Sequence, residues 1–313
     1  MDFLIPVSEE FLETIPGEKE GAEPISFEEF NRIIDASEIE PFISAGGSCA
    51  NAIKALSNLG IKTALVSSIG TDALGEQFTH SITEQGIIPL FKHSLFPTMR
   101  VLCLVTPNGK RTMRFFAGSS QDFSESALNP LYFNGVKIVH LEAYSIRNEE
   151  LLTSMVQFAK NEGAIISLDL SSFEIVRQHS RVLLKLIEEF VDILFCNIDE
   201  IQELTKLSPH DGCYEMQKKC PITVVLMGKE GCLVGHKGEV FASPSFPVQV
   251  IDTTGAGDFF AGGFLYGYFK GYSLTECARL GNYLGGSVTE VMGTTFSNKK
   301  WQSIRAFVNG ESL

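Results

Sequence analysis

Two kinds of chemistry meet in the short run Asp252-Thr253-Thr254-Gly255-Ala256-Gly257-Asp258. An apolar stretch, Phe246 to Ile251, leads into the glycines, and small and aromatic residues from Phe259 to Gly263 follow as a helix-like segment. Bare backbone at Gly255, Ala256 and Gly257 can aim several N–H groups at an anion, and the positive end of a helix dipole adds to the attraction. A phosphate suits such a turn. Asp258 does not, because its charge repels the ligand; a carboxylate in that place reads as a base. Two plainer readings compete. Gly257 to Gly262 resembles half of a dinucleotide fingerprint, and a strand-to-helix turn can demand glycine for conformation alone. The fingerprint fits poorly, because the loop lies near the C-terminal end, Asp258 follows the second glycine, and no acidic residue closes a strand about 20 positions on. No Gly-x-x-x-x-Gly-Lys-Ser/Thr occurs, which excludes a Walker A loop.

Two further clusters carry polar groups at useful spacing. In Gly46-Gly47-Ser48-Cys49-Ala50-Asn51 the glycines allow a hydroxylated ligand close to the backbone, and Asn51 can both donate to and accept from a diol. A glycine-rich helix start with Asn51 on its polar face accounts for the same residues. In Asn197-Ile198-Asp199-Glu200 the spacing is that of a helix capping box. The same pair could order water around a divalent cation, since magnesium needs few protein ligands.

These groups require a scaffold, and the pattern supplies one. Apolar runs at 62–69, 136–141, 165–170, 193–196 and 222–227 read as strands of the buried parallel kind, and 73–84, 149–161, 176–190 and 198–206 read as helices. In 149–161, Leu152, Met155, Val156 and Ala159 share one face. Strand and helix in alternation predict an α/β fold with right-handed crossovers and ligands at the strand C-termini. Residues 99–106 and 111–116, joined by Pro107-Asn108-Gly109-Lys110, read as a β-hairpin. With Phe3 to Val7 and Pro41 to Ser44 it could build a second, smaller sheet; an ordinary edge hairpin fits the same pattern. No repeat, low-complexity tract or linker interrupts the 313 residues.

Composition narrows the partners. A net charge of −13 argues against nucleic acid or an anionic membrane as the main partner. The seven cysteines form no Cys-x-x-Cys pair, which suits buried thiols in a reducing cytoplasm. No apolar run approaches the roughly 20 residues that span a bilayer.

Asp252 to Asp258, in order with Gly46 to Asn51, Gly70-Thr71-Asp72-Ala73-Leu74-Gly75 and Asn197-Ile198-Asp199-Glu200, resembles the PfkB, or ribokinase-like, family of carbohydrate and nucleoside kinases. The resemblance covers nearly the whole chain. It implies a single kinase domain over 1–313, a three-layer α/β/α sandwich with a mainly parallel central sheet and a β-sheet lid from about 3–8, 41–46 and 95–117. It implies ATP and Mg²⁺, with K⁺ in many relatives, no nucleic acid or membrane partner, and a monomer or homodimer.

Residue by residue, the resemblance implies Asp258 as general base, with Gly255, Ala256 and Gly257 donating to the transferring phosphate and Arg111 brought from the lid. Asp2, Gly46, Gly47 and Asn51 would bind the acceptor. Gly228, Thr254, Gly255, Gly257 and Asn282 would bind ATP, with Thr294-Thr295-Phe296 near the adenine. Asn197 and Glu200 would act on Mg²⁺ through water, and Asp252 with Thr254 on a monovalent cation. The chain departs from the pattern at its start: the core strand and turn that precede the substrate-gripping Asp in relatives have no counterpart before Asp2. Either the natural start lies upstream of Met1 or the sheet lacks one strand, leaving an edge unpaired.

Several stretches, among them Ser167 to Phe173, Arg111-Thr112-Met113 and Gly293 to Phe296, resemble the adenosine kinase branch. Phe96, Phe115 and Phe116 could stack on a base. The expectation is an ATP-dependent kinase for a nucleoside primary hydroxyl. A small-sugar kinase is the alternative, and a catalytically silent binding protein of the same fold a more distant one.

Overall fold

The computed structural model describes residues 1–310, and they divide into two compact units. The first comprises Met1–Phe123, Val250–Gly255 and Val288–Ser297; the second comprises Ser124–Gln249, Ala256–Ser287 and Asn298 onward.

In the first unit the elements run β1 (Asp2–Pro6), α1 (Glu9–Glu13), β2 (Ala22–Pro24), α2 (Phe27–Ser37), β3 (Phe42–Ser44), α3 (Ser48–Asn58), β4 (Ala64–Gly70), α4 (Ala73–Glu84), β5 (Ile88–Ser94), β6 (Arg100–Val105) and β7 (Arg111–Phe116). A five-stranded sheet has the order β2-β7-β6-β1-β3, and among the described residues β4 pairs with β5 alone. The expected lid strands are all in the five-stranded sheet, with β2 added on its edge. After Asp2, β1 is an apolar run whose Leu4 and Ile5 are buried, each such side chain being worth about 1.5–3 kcal/mol. The β6–β7 hairpin turns where predicted: Gly109 takes φ of 81°, and Asn108 Oδ1 accepts from the Lys110 N–H at 3.0 Å. α4 has the predicted bounds, since Asp72 caps its first turn through the Gly75 N–H at 3.0 Å and Gly86, at φ of 75°, stops it. Arg114 of β7 is only 1% exposed and donates to the carbonyls of Pro16 and Glu18, at 2.9 and 3.1 Å, which ties down the loop before β2.

The second unit continues with β8 (Ile138–Glu142), α5 (Glu149–Asn161), β9 (Ile165–Asp169), α6 (Phe173–Phe190), β10 (Ile193–Asn197), α7 (Ile198–Thr205), α8 (Pro209–Met216), β11 (Ile222–Leu226), β12 (Cys232–His236), β13 (Glu239–Ser243), α9 (Ala256–Phe269), α10 (Leu274–Val288) and α11 (Asn298–Val308). Its sheet has the order β13-β12-β11-β10-β9-β8; β8 to β11 are parallel, and β12 and β13 are antiparallel additions. Ile193, Leu194 and Phe195 of β10 are buried, as a central parallel strand covered on both faces requires. β8 pairs with β9 alone among the described residues. α6 starts three residues before the expected 176, because Ser172 caps it by accepting from the Ile175 N–H at 3.3 Å.

Helices α9 and α10 approach closely. A methyl group added at Gly263 would lie 2.7 Å from the Leu280 carbonyl oxygen, and one at Gly285 2.9 Å from that of Ala256. No helix among the described residues is long and apolar enough to cross a membrane.

Candidate active site

In the first unit, antiparallel pairing of β1 with β3 sets Asp2 opposite Ser44 and so beside the turn that follows β3. The Asp2 side chain is 8% exposed and its carboxylate lies against the Cα of Gly46. Burial raises the Asp2 carboxyl above its usual range; the charges of the Met1 nitrogen, Lys54 and Arg111 oppose that rise. Gly47 holds φ of 110°, a conformation open to glycine, and caps the start of α3. Asn51, one turn into α3, is 3% exposed. Its Oδ1 accepts from Lys54 Nζ at 3.1 Å, and the same ammonium donates to the Ala45 carbonyl.

Arg111 of β7 donates from Nη1 to the Thr254 hydroxyl at 3.1 Å and so reaches the beginning of the glycine turn. Asp252 braces that turn. Its Oδ1 accepts from the Thr254 N–H at 2.9 Å and hydroxyl at 2.6 Å, and its Oδ2 accepts from the Gly293 N–H at 2.9 Å. Both oxygens are therefore engaged by protein donors. The neighbouring Thr294 hydroxyl is buried without a hydrogen-bond partner, and Phe296 is buried.

In the second unit the C-terminal ends of the parallel strands carry the polar groups, as a doubly wound sheet predicts. β8 ends in Glu142, β9 in Asp169 and β10 in Asn197, and Gly228, at φ of 58°, follows β11. Asp258 lies in the first turn of α9, two residues after Ala256 begins the helix, and Gly255 enters that helix with φ of 76°. Asp169 is pushed up to about 7 by burial and then by the charge of Asp258, against the pull of the Ser171 N–H. Glu200 is raised well above the carboxylate range by burial and then by Asp169. Asp258, Asp169 and Glu200 thus form a chain of mutually repelling carboxylates.

The capping geometry of Asn197 and Glu200 is complete. Glu200 Oε2 accepts from the Asn197 N–H at 2.8 Å, Oε1 from Asn197 Nδ2 at 2.9 Å, and Asn197 Oδ1 from the Glu200 N–H at 2.9 Å. No cluster of three or more His, Cys, Asp or Glu among the described residues makes a metal cage. The oxygen donors present fit an ion that keeps most of its water, as magnesium does. Asn282 donates from Nδ2 to the carbonyl and hydroxyl oxygens of Ser243, each at 3.1 Å, which anchors α10 to the end of β13.

Sequence reasoning singled out neither Lys54 nor Asp169. Lys54 stands among buried Ala52, Ile53, Ala55 and Leu56, and a lone lysine in such a run was its only signal. Asp169 could have been found from its place at the end of a buried parallel strand.

A family model described as pfkB family carbohydrate kinase matches residues 35–301. A nucleoside kinase of Methanothermobacter thermautotrophicus is 28% identical over 255 residues, covering 80% of this chain and 79% of that protein. Among solved structures, an adenosine kinase from Sinorhizobium meliloti superposes with a TM-score of 0.92 at 26% identity, over 98% of this chain and 96% of that one. A probable sugar kinase from Rhizobium etli CFN 42 also gives 0.92, at 28% identity, over 99% of this chain and 95% of that one. The fold is ribokinase-like, kinases of this family use ATP and typically Mg²⁺, and the activity is phosphoryl transfer to a nucleoside or sugar. Since that family model spans most of the chain, the chain belongs to the pfkB family of carbohydrate kinases.

Proposed function

We propose that this protein transfers the γ-phosphate of ATP to a primary hydroxyl of a nucleoside, the whole chain working as one kinase domain with β1, β3, β6 and β7 as its lid. The observation that carries the proposal is Asp258 in the first turn of α9, directly after the glycine turn that opens the helix. Phosphoryl transfer asks for positioning and for charge neutralisation around the moving phosphate. The N–H groups of Gly255, Ala256 and Gly257 donate to its oxygens, and the guanidinium of Arg111, tethered through Thr254, adds positive charge. Asp258 Oδ accepts the acceptor hydroxyl's proton as that oxygen attacks phosphorus. Magnesium neutralises phosphate charge when bound, and Asn197, Glu200 and Asp169 would hold it through its water. On the nucleotide side, Gly228 leaves open space, since a methyl group built there meets nothing within 4 Å. Asn282 acts there as a support of the backbone at the end of β13. Asp252, with both oxygens engaged, holds the turn, and no step passes through a monovalent ion.

On the acceptor side, Asp2, Gly46, Gly47 and Asn51 bind hydroxyls, and Phe96, exposed in the first unit, suits a base. A small-sugar acceptor is the second reading, favoured by the equally close structural likeness to the sugar kinase. ADP release from ATP and Mg²⁺, measured over a panel of ribonucleosides, deoxyribonucleosides, ribose and fructose, tests the proposal. Turnover with a nucleoside at a KM far below that for free sugars is expected. Turnover confined to sugars would replace it with the second reading, and no turnover at all would leave a silent binding protein.

A further inference from the structure

We propose that Ser171 is a positioning residue of the phosphoryl-transfer site, whose strained turn fixes one carboxylate oxygen of Asp169 and leaves the other to the hydrated magnesium ion. The inference rests on the magnesium reading above and adds to it the residue that aims the carboxylate.

Ser171 takes φ of 65°, a left-handed conformation that strains a residue bearing a side chain. The Ser172 N–H reaches back to the Leu170 carbonyl at 2.7 Å, so Ser171 is the centre of a three-residue γ-turn in its rare positive-φ form. Glycine would adopt that conformation freely. A serine there is explained by what its own polar groups do. Its N–H donates to Asp169 Oδ1 at 2.7 Å. Its hydroxyl oxygen accepts from the Ala143 N–H at 3.0 Å, and the hydroxyl donates to the Asp169 carbonyl at 3.2 Å. Its carbonyl accepts from the Tyr144 hydroxyl at 3.4 Å.

The place of the turn in the sheet gives these bonds their purpose. β8 and β9 pair in parallel as far as Glu142 and Asp169, and beyond that rung the strands part, β9 leading into α6. Ala143 is fully buried, and its N–H needs a partner where the ladder ends. The Ser171 hydroxyl stands in as the next rung. It locks the exit of β9 to the exit of β8, and with them the direction of the Asp169 side chain. The Ser171 N–H engages Oδ1, while among the described residues Oδ2 accepts no hydrogen bond. An oxygen so placed, repelled by the charge of Asp258, gains from the water of a bound cation. Ser171 thus stands to Asp169 as an outer partner stands to a metal-holding group, setting its orientation.

The test uses the full chain with ADP and Mn²⁺, whose binding is read by water-proton relaxation, beside initial rates over a range of Mg²⁺. Ser171→Gly relieves the strain and deletes the hydroxyl; Ser171→Ala deletes the hydroxyl and keeps the strain. Removing an outer partner costs about 10- to 100-fold in metal affinity, so both variants should bind Mn²⁺ at least about tenfold more weakly and need correspondingly more Mg²⁺ for half-maximal rate. The KM of the acceptor should not move. Ser171→Gly should melt above Ser171→Ala, because only alanine keeps the strain. Asp169→Asn should also weaken Mn²⁺ binding, and combining it with Ser171→Gly should cost little more, since groups that act as one are not additive. Unchanged Mn²⁺ affinity in Ser171→Gly, full additivity with Asp169→Asn, or an affinity that follows melting temperature instead of the missing hydroxyl overturns the role of Ser171. If the unmodified chain binds no Mn²⁺ beyond what ADP holds by itself, the magnesium reading falls, and this inference with it.

Discussion

Gly46 and Gly47 are adjacent glycines with different physical reasons for being glycine, and exchanging each for alanine should separate binding from stability. A methyl group at Gly46 would lie 2.6 Å from Asp2 Oδ1 and closer still to its Oδ2 and carboxyl carbon. Ordinary carbon–oxygen contact begins near 3.4 Å, so the carboxylate must retreat by about 1 Å or more. Hydrogen bonds fail beyond about 3.5 Å, and a carboxylate displaced that far loses its acceptor hydroxyls. Each bond to a charged group is worth about 1.5–3 kcal/mol, so Gly46→Ala should raise the acceptor KM by at least about tenfold, or about a hundredfold if both hydroxyls are lost. Gly46 has no left-handed φ, so its backbone tolerates alanine. At Gly47 the space is open, with only the Ala50 Cβ within reach at 3.8 Å, but φ is 110°. Gly47→Ala should therefore cost about 1–3 kcal/mol of stability through backbone strain. Initial rates against acceptor at saturating ATP, with thermal melts of the same preparations, read both effects. A Gly46→Ala protein that keeps its acceptor KM would refute the contact between Asp2 and Gly46 as the basis of binding.

Three other outcomes follow from the site and the core. Asp258→Asn should lower kcat by about 10²–10⁴ while leaving ATP affinity nearly unchanged, measured by steady-state rates and nucleotide titration; near-normal turnover would remove the base assignment. Glu200→Gln keeps one carbonyl oxygen of the capping box, and should raise the Mg²⁺ concentration for half-maximal rate; an unchanged dependence leaves Glu200 as a cap alone. Burial lowers His140 to about 4, and its Nδ1 lies 2.9 Å from the Ser167 hydroxyl. An unfolded chain takes up this proton near pH 6.5 while the folded one resists until about pH 4, so stability should fall by about 2–3 kcal/mol as pH drops through that window. Denaturant unfolding at pH 7 and 4.5 checks this, and His140→Gln should flatten the slope.

What the sequence revealed depended on how locally each feature is encoded. α4 and α5 have the predicted bounds because their first turns are capped from within, by Asp72 and by Asn148, which accepts from the Leu151 N–H at 3.0 Å. The glycine turn and Asp258 were legible because their chemistry is a backbone conformation written in three small residues. β5 escaped notice through Pro89, which a strand paired, among the described residues, with β4 alone accommodates. The β12–β13 hairpin turns on Lys237 and Gly238, both with positive φ, and lysine is no turn signal. Lys54 and Asp169 remained hidden for another reason. A buried charge is defined by partners from other segments, Ala45 and Asp2 for one, Asp258 and Glu200 for the other, and no local pattern announces them.

The glycine contacts between α9 and α10 bear on how such an enzyme can change over evolutionary time. Backbone lies against backbone at Gly263 and Gly285, so the seat of α9, and of Asp258 on its first turn, rests on groups that side-chain drift cannot alter. One added methyl at Gly285 would press directly on the Ala256 carbonyl. On the proposed function, the acceptor-side residues Asp2, Gly46 and Asn51 all belong to the other unit. Substitutions there can explore new acceptors while the chemical step is inherited intact, a division of labour that lets one lineage diversify its substrates without rediscovering its chemistry.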